Sequence, residues 1–212
     1  MQKGVAADLS RNPGAAAKKL VLSANALLLL GRKGEAVAAI DRAVKLARGD
    51  VKFPAALAYV EAGQESKALA LSGELGQVVE SLPQAFAKLV EAEAELKRGR
   101  ALEAINRLQE SQRLSDTWLS RYCLGRAYLA AKAFTQADSE LDICLRRRGE
   151  ATDVYLDEEQ TYHVLPPVYY YLGRVREGLN SGGAAEPFRT FLSLKAPNAT
   201  DPMVDDARRR GR

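Results

Sequence analysis

The side chains best suited to catalysis or metal binding are scarce in this sequence. His163 is the only histidine, and the cysteines are Cys123 and Cys144. A metal site uses several His, Cys or carboxylate ligands at suitable spacing, and a Ser-His-Asp triad would have to use His163. We therefore predict that His163 is a packed or surface residue, that the cysteines fill space as small apolar side chains, and that the protein holds neither a metal nor a cofactor.

Three further patterns suggest chemistry, and each has a plainer interpretation. The segment NSGGAAEP at 180–187 comes nearest to a phosphate-binding loop, but it lacks the GK[ST] ending. Glu91, Glu93 and Glu95 alternate around a helix, and the acidic residues 157–159 lack calcium-loop spacing. The arginines at 146–148 suit the carbonyl end of a helix, with a phosphate site as the alternative. Because kinase catalytic motifs are absent from the sequence as well, we predict that the protein is not an enzyme.

The composition indicates a folded chain with little charge bias. Of its 212 residues 47% are hydrophobic, and 31 basic against 27 acidic residues give a net charge of +4. That charge is mild for a nucleic-acid binder, and two cysteines suit a reducing compartment. The most apolar run, residues 20–31, is shorter than a membrane-spanning helix, and the first ten residues lack the apolar stretch of a secretory signal. We expect a cytoplasmic protein with no membrane partner.

Helices must position any functional residues, because helix-forming residues dominate and alternating strand patterns are nearly absent. Four short polar turns are each followed by an alanine that opens a new helix, namely Ala36, Ala68, Ala104 and Ala137. By subtraction these alanines are 32, 36 and 33 residues apart. A period in the low thirties is typical of stacked helical hairpins.

Residues 118–149 indicate how one hairpin packs. The large residues Trp118, Leu124 and Tyr128 surround Gly125 in the first helix, and Ala137 opens the second. A glycine inside a helix costs about 1 kcal/mol relative to alanine, so Gly125 indicates a backbone approach too close for a side chain. We predict that Gly125 and Ala137 form this close contact and that the large residues fill the space around it.

This arrangement resembles the tetratricopeptide repeat, in which a large residue, Leu-Gly, Tyr and Ala recur over about 34 residues. The pattern returns with Leu172, Gly173 and Ala185. The resemblance implies an all-α fold, a right-handed superhelical solenoid of antiparallel helix pairs in a single domain covering 1–212. About five repeats are expected, at 17–48, 49–79, 85–116, 118–149 and 166–197.

Two segments fall outside these repeats. Ala137 and Ala185 are 48 residues apart by subtraction, which leaves an insertion at about 150–165 that either extends a helix or forms a loop. Near the C-terminus, Asp201 as N-cap, Pro202 at the first helical position and late arginines predict a capping helix at 201–210.

By the same resemblance, two positions on each first helix face a concave groove: the residue after Leu-Gly and the residue four before it. In the last two repeats these are Tyr122 with Arg126, and Tyr170 with Arg174. An arginine beside a tyrosine suits a clamp for a carboxylate or phosphate on an extended peptide, with ordinary surface and packing roles as the alternative. The equivalent pairs in the earlier repeats are Val21 with Asn25, Phe53 with Leu57, and Leu89 with Glu93, and of these Asn25, Phe53 and Leu57 are expected to line the groove.

The segments RRRGEA, PPVYYYLGRVREG and FRTFLSLK resemble the tetratricopeptide tails of some bacterial serine/threonine kinases of the eukaryotic type. This implies a signalling context. We predict a non-catalytic scaffold that binds a partner protein or an acidic or phosphorylated peptide, and that recruits substrates or regulators to a kinase domain in the same or a neighbouring chain. The alternative is a helical-repeat RNA-binding protein, which the mild charge and the lack of a regular polar residue in each repeat disfavour.

Overall fold

The computed structural model describes residues 11–152, 165–196 and 202–211. In these ranges the chain forms ten α-helices and one 3₁₀ helix and contains no β-strand, which confirms the all-α class for the described residues. The helices are α1 Pro13–Leu29, α2 Lys33–Ala62, α3 Glu65–Gly76, α4 Ser81–Lys97, α5 Ala101–Leu114, α6 Trp118–Ala130, α7 Phe134–Arg146, α8 Leu165–Gly178, α9 Ala185–Ser193 and α10 Pro202–Arg210; the 3₁₀ helix is Arg148–Thr152. Most of the predicted insertion, with His163 and acidic residues 157–159, lies outside the described residues.

The chain divides into two compact units, Met1–Arg98 and Gly99–Arg212, called unit 1 and unit 2 below. In unit 1, α1 packs on α2, α2 on α3 and α3 on α4, and α2 also contacts α4. In unit 2 the same consecutive packing runs from α5 to α10, and α6 also contacts α8. Contacts of this order are typical of stacked helical hairpins. The solenoid's handedness, the number of repeats and the single domain stay predictions.

Local sequence explains where the first helices begin and break. α1 starts at Pro13, earlier than the expected position 17, because the Asn12 side chain caps the helix by accepting a 2.9 Å hydrogen bond from the Ala15 N–H. α2 is interrupted at Ala47, whose φ of −153° and ψ of 69° are not helical. The two halves of α2 therefore fall in different predicted repeats, the first and the second.

Each of the five predicted hairpins has a residue in the left-handed region at the end of its first helix. These residues are Gly31, Gly63, Gly99, Lys132 and Asn180, with φ between 51° and 78°. In the first four hairpins, the fifth residue after the turn residue is a fully buried alanine: Ala36, Ala68, Ala104 or Ala137. The left-handed turn residue and the buried alanine thus recur together, so the sequence period matches a recurring arrangement of turn and helix.

The fifth hairpin departs from this register. Its turn contains a second left-handed residue, Gly183 with φ 90°, before α9 begins at Ala185. The alanines of the first four hairpins lie three residues after the start of the second helix, and the residue at that position in α9 is Phe188. Ala185 is the first residue of α9 and is only partly buried. Because the turn is longer, Phe188 occupies the buried position that was predicted for Ala185.

Two glycines mark close approaches between the helices of a hairpin. A Cβ on Gly125 would lie 2.8 Å from Cδ2 of Leu141 and 3.6 Å from the Ala137 carbonyl oxygen. A Cβ on Gly173 would lie 2.7 Å from Cζ of Phe188. These contacts offset the helical cost of glycine, because only a residue without a side chain leaves room for the neighbour.

The large residues around Gly125 and Gly173 fill the space beside these contacts. Trp118 is buried and its indole N–H donates a 2.8 Å hydrogen bond to the Cys144 carbonyl oxygen. Leu124 and Leu172 are buried as well. Tyr128 is half-buried, and its hydroxyl accepts a 3.1 Å hydrogen bond from Nε2 of Gln109.

Candidate binding site on the first helices

The residues considered for catalysis are placed mostly in packing or ion-pair roles. Burial raises the pKa of the Cys144 thiol to about 12, which leaves it protonated and a poor nucleophile. Arg146 pairs with Asp142, and Arg147 pairs with Asp116 and Glu150. The segment 180–184 forms the turn before α9.

The described residues hold neither a metal-binding cluster nor a membrane-spanning helix. Within 11–152, 165–196 and 202–211, His, Cys, Asp and Glu side chains form no group of three or more that could hold a metal ion. None of the helices described in those ranges is long and apolar enough to cross a membrane. The positions predicted to face a groove on the first helices have a defined geometry.

The paired groove positions differ in burial. The first member of every pair is buried, with exposures of 7% or less: Val21, Phe53, Leu89, Tyr122 and Tyr170. The second member, four residues later, is half-buried in four of the five pairs: Asn25, Leu57, Arg126 and Arg174. Glu93 is the exception, at 8% exposure. The aromatic members Phe53, Tyr122 and Tyr170 therefore do not present a ring to an open surface as expected, and the surface at these positions comes from the second members.

Each buried aromatic is covered by a later helix of its own unit. In unit 1, Phe53 stacks on Phe86 of α4, with ring centroids 4.0 Å apart and planes inclined by 6°. In unit 2, the Tyr122 ring meets the edge of Tyr171 of α8 at 5.9 Å. Tyr170 packs in a cluster with Phe188 and Phe191 of α9 and with α10. Phe53 and Tyr122 thus lie where one first helix meets the next, whereas Tyr170 lies where α8 meets α9 and α10.

Arg126 is held above two aromatic rings. Its guanidinium carbon lies 5.5 Å from the centroid of Tyr122 and 5.7 Å from that of Tyr171. Tyr122 is stacked in turn on Trp118 at 5.6 Å. Cation–π contacts of this kind orient the guanidinium, so that part of it stays accessible without the entropy cost of ordering a long side chain on binding.

Arg174 has polar surroundings instead. Its Nη1 donates a 3.2 Å hydrogen bond to the Tyr170 hydroxyl, and its Nε lies 3.6 Å from Oε2 of Glu177. The same Nη1 is 3.9 Å from Oδ2 of Asp206, which belongs to α10. The place predicted to clamp a carboxylate on a partner thus faces a carboxylate from this chain.

Asp206 is bound by several donors. Its carboxylate accepts hydrogen bonds from the Tyr170 hydroxyl at 2.8 Å, from Nε of Arg210 at 2.6 Å and from Nη2 of Arg209 at 3.0 Å. Burial acts to raise the pKa of Asp206, but the hydrogen bonds from Arg210, Tyr170 and Arg209 outweigh it and hold the pKa well below its ordinary value. Asp206 therefore stays ionised at neutral pH.

Sequence reasoning missed three residues of this region: Tyr171, Phe188 and Asp206. Tyr171 was visible only as one member of a Tyr-Tyr-Tyr run, and Asp206 only as a favourable charge early in a capping helix. No local signal connects Asp206 with Tyr170, which lies 36 residues earlier.

The comparisons with known proteins leave the geometry as the basis for a functional interpretation. No model of a known protein family matches the chain, and no curated protein does either. A functional interpretation therefore rests on the half-buried second residue of each pair, which is an amide or a leucine in unit 1 and an arginine in both pairs of unit 2.

Proposed function

We propose that the protein is a non-catalytic, tetratricopeptide-like scaffold that binds a segment of a partner protein along its first helices. The observation that carries the proposal is the regular exposure of the paired positions. One residue of each pair is buried against neighbouring helices, and the residue four later is half-buried in four of the five hairpins. Within each unit, a row of accessible side chains with rigid backing is the arrangement that peptide binding by stacked helical hairpins needs.

The chemistry of the row favours an acidic or phosphorylated partner at unit 2. Arg126 presents a planar, permanently charged guanidinium, which binds carboxylate and phosphate groups through paired hydrogen bonds. The rings of Tyr122 and Tyr171 support it from behind. In unit 1 the corresponding side chains, Asn25 and Leu57, suit an uncharged segment of a partner.

The proposal includes a cellular context. Cys123 and Cys144 are buried thiols that are not joined in a disulfide, which suits the reducing cytoplasm. The segment PPVYYYLGRVREG lies entirely in α8. Its resemblance to kinase-associated repeats supports a role in recruiting substrates or regulators to a kinase domain, in the same chain or a neighbouring one.

An array of fluorescent acidic and phosphorylated peptides tests this proposal. We expect the best binder to lose about tenfold to a hundredfold in affinity for the Arg126→Ala variant, about 1.4 to 3 kcal/mol, because a desolvated charge pair is lost. Arg113→Ala removes an exposed arginine on α5 and is the matched control, with an expected change below twofold. Equal losses in both variants would contradict a specific site. Binding of unrelated RNA with a steep salt dependence would instead support the nucleic-acid alternative.

A further inference from the structure

α10 is a short helix that depends on its contacts. It has nine residues, and a helix of that length is marginal in water on its own. The side chains that it buries are small: Val204 and Ala207 are at 1% and 0% exposure, and Met203 is partly buried. They pack against Tyr170 of α8 and against Phe188 and Phe191 of α9.

Polar contacts fix how α10 lies on this surface. The Asp206 carboxylate accepts the Tyr170 hydroxyl hydrogen bond at 2.8 Å, with Arg174 3.9 Å away. One turn later, Nη1 of Arg210 donates a 2.7 Å hydrogen bond to Oε2 of Glu177 on α8. α10 therefore presents apolar residues, a carboxylate and then a cation in a fixed order. The surface of α8 and α9 provides a matching contact for each: aromatic rings for the apolar residues, the Tyr170 hydroxyl for the carboxylate and the Glu177 carboxylate for the cation.

We infer that the surface formed by Tyr170, Arg174, Glu177, Phe188 and Phe191 is a docking site for a short amphipathic helix of a partner protein, and that α10 is its internal occupant. The partner helix carries a small apolar residue, a carboxylate two positions later and an arginine four after the carboxylate, as Val204, Asp206 and Arg210 do. This inference deepens the proposed function, because it names the chemistry of one partner segment.

Because α10 buries only a small surface, a partner helix can replace it on α8 and α9. Most of the contact rests on two small apolar side chains and on polar groups that a partner helix reproduces. Because α10 is covalently attached, it competes at a high effective concentration, so a free helix binds measurably only when α10 is weakened. The site is then regulated by whatever loosens α10.

The test uses a fluorescent peptide of residues 202–211 and the full chain, with binding followed by anisotropy. Ala207→Asp places a charge at the buried face of α10, and we expect this variant to bind the peptide at least tenfold more tightly than the wild type. Adding Tyr170→Phe, which removes the hydroxyl that donates to the Asp206 carboxylate, is expected to reverse most of that gain. A peptide with Asp206→Asn is expected to bind about tenfold more weakly than one with Asp205→Asn, because the Asp205 side chain is 63% exposed.

Two results would overturn the inference: equal affinity of the wild type and Ala207→Asp, or equal affinity of the two altered peptides. Far-UV circular dichroism and the emission of the buried Trp118 verify that each variant is folded. If Ala207→Asp unfolds, the chain variant Asp206→Asn replaces it, since that change weakens the same contact without burying a new charge. The Arg126→Ala experiment is independent of this site, so either result stands without the other.

Discussion

The two tyrosine–arginine pairs of unit 2 share a sequence pattern and differ in their surroundings. Both occur in a Tyr-x-Leu-Gly-Arg segment, at 122–126 and at 170–174. Arg126 lies over the rings of Tyr122 and Tyr171, whereas the hydroxyl of Tyr170 donates to a carboxylate that also lies near Arg174. The helix that covers the tyrosine makes the difference: α8 supplies an aromatic ring, and α10 supplies Asp206. The same five-residue segment therefore acquires its chemistry from a neighbour distant in sequence.

Among the changes that compare the two pairs, substituting the glycine before each arginine is expected to have the largest effect on stability. We expect Gly173→Val to lower the free energy of unfolding by about 3 kcal/mol and Gly125→Val by about 2 kcal/mol, measured by urea denaturation with Trp118 fluorescence. The added atoms would enter the buried ring of Phe188 in the first case. In the second they meet Leu141, whose side chain relieves part of the overlap by changing rotamer.

Gly73 in α3 provides the control for these substitutions. Beyond the adjoining residues and the backbone of its own helix, no atom lies within 4 Å of the position of a Cβ on Gly73. Gly73→Val is therefore expected to change stability by less than about 0.5 kcal/mol, measured by far-UV circular dichroism. Wild-type stability of Gly173→Val would show that the close approach to Phe188 is absent in solution.

Removing the Asp206 charge tests the second pair and has an intermediate effect. We expect Asp206→Asn to lower the free energy of unfolding by about 1.5 kcal/mol at pH 7, because hydrogen bonds to an ionised group are lost. The pKa of Asp206 in the folded chain lies below its ordinary value of 3.8, so its contribution is complete above that value and falls as the pH drops below it.

The difference between wild type and Asp206→Asn should therefore be constant from pH 7 to 5 and should narrow at pH 3, in urea titrations at each pH. Asp205→Asn is the control, with an expected change below about 0.5 kcal/mol, since its contact with Arg208 is exposed. If the difference in unfolding free energy between wild type and Asp206→Asn grew toward pH 3, Asp206 would not be an ionised carboxylate stabilised by its hydrogen bonds.

Much of the fold was predictable because its determinants are local. Polar turns, helix-forming residues and the recurring alanines are short-range features, and the helices begin and end near them. The fifth hairpin was not predictable in the same way. Counting residues placed Ala185 at the packing position, but the additional left-handed residue Gly183 delays α9 and brings Phe188 there instead.

The accessibility of the candidate site residues could not be predicted from the sequence, and their role in binding stays a prediction. A resemblance identifies Tyr122 and Tyr170 as groove positions, yet burial depends on what the next helix brings, and that contact spans 36 residues for Tyr170 and Asp206. Helical periodicity carries information over a few turns only. Tyr171 and Asp206 therefore emerged from the tertiary structure, whereas Arg126 and Arg174 were found from sequence.

Double-mutant cycles give the smallest and most discriminating prediction about the two arginines. The cycle of Arg126→Gln with Tyr171→Leu is expected to give a coupling energy of about 0.5 to 1 kcal/mol at both 0.02 M and 1 M NaCl, because a cation–π contact is short-ranged and partly desolvated. The cycle of Arg174→Gln with Asp206→Asn is expected to give about 0.5 kcal/mol at low salt and to approach zero at high salt, since those charges are 3.9 Å apart and the Arg174 side chain is 38% exposed. Unfolding free energies from urea titration at the two salt concentrations measure both cycles. Equal salt dependence would mean that the two pairs do not differ in the kind of interaction that holds their arginines.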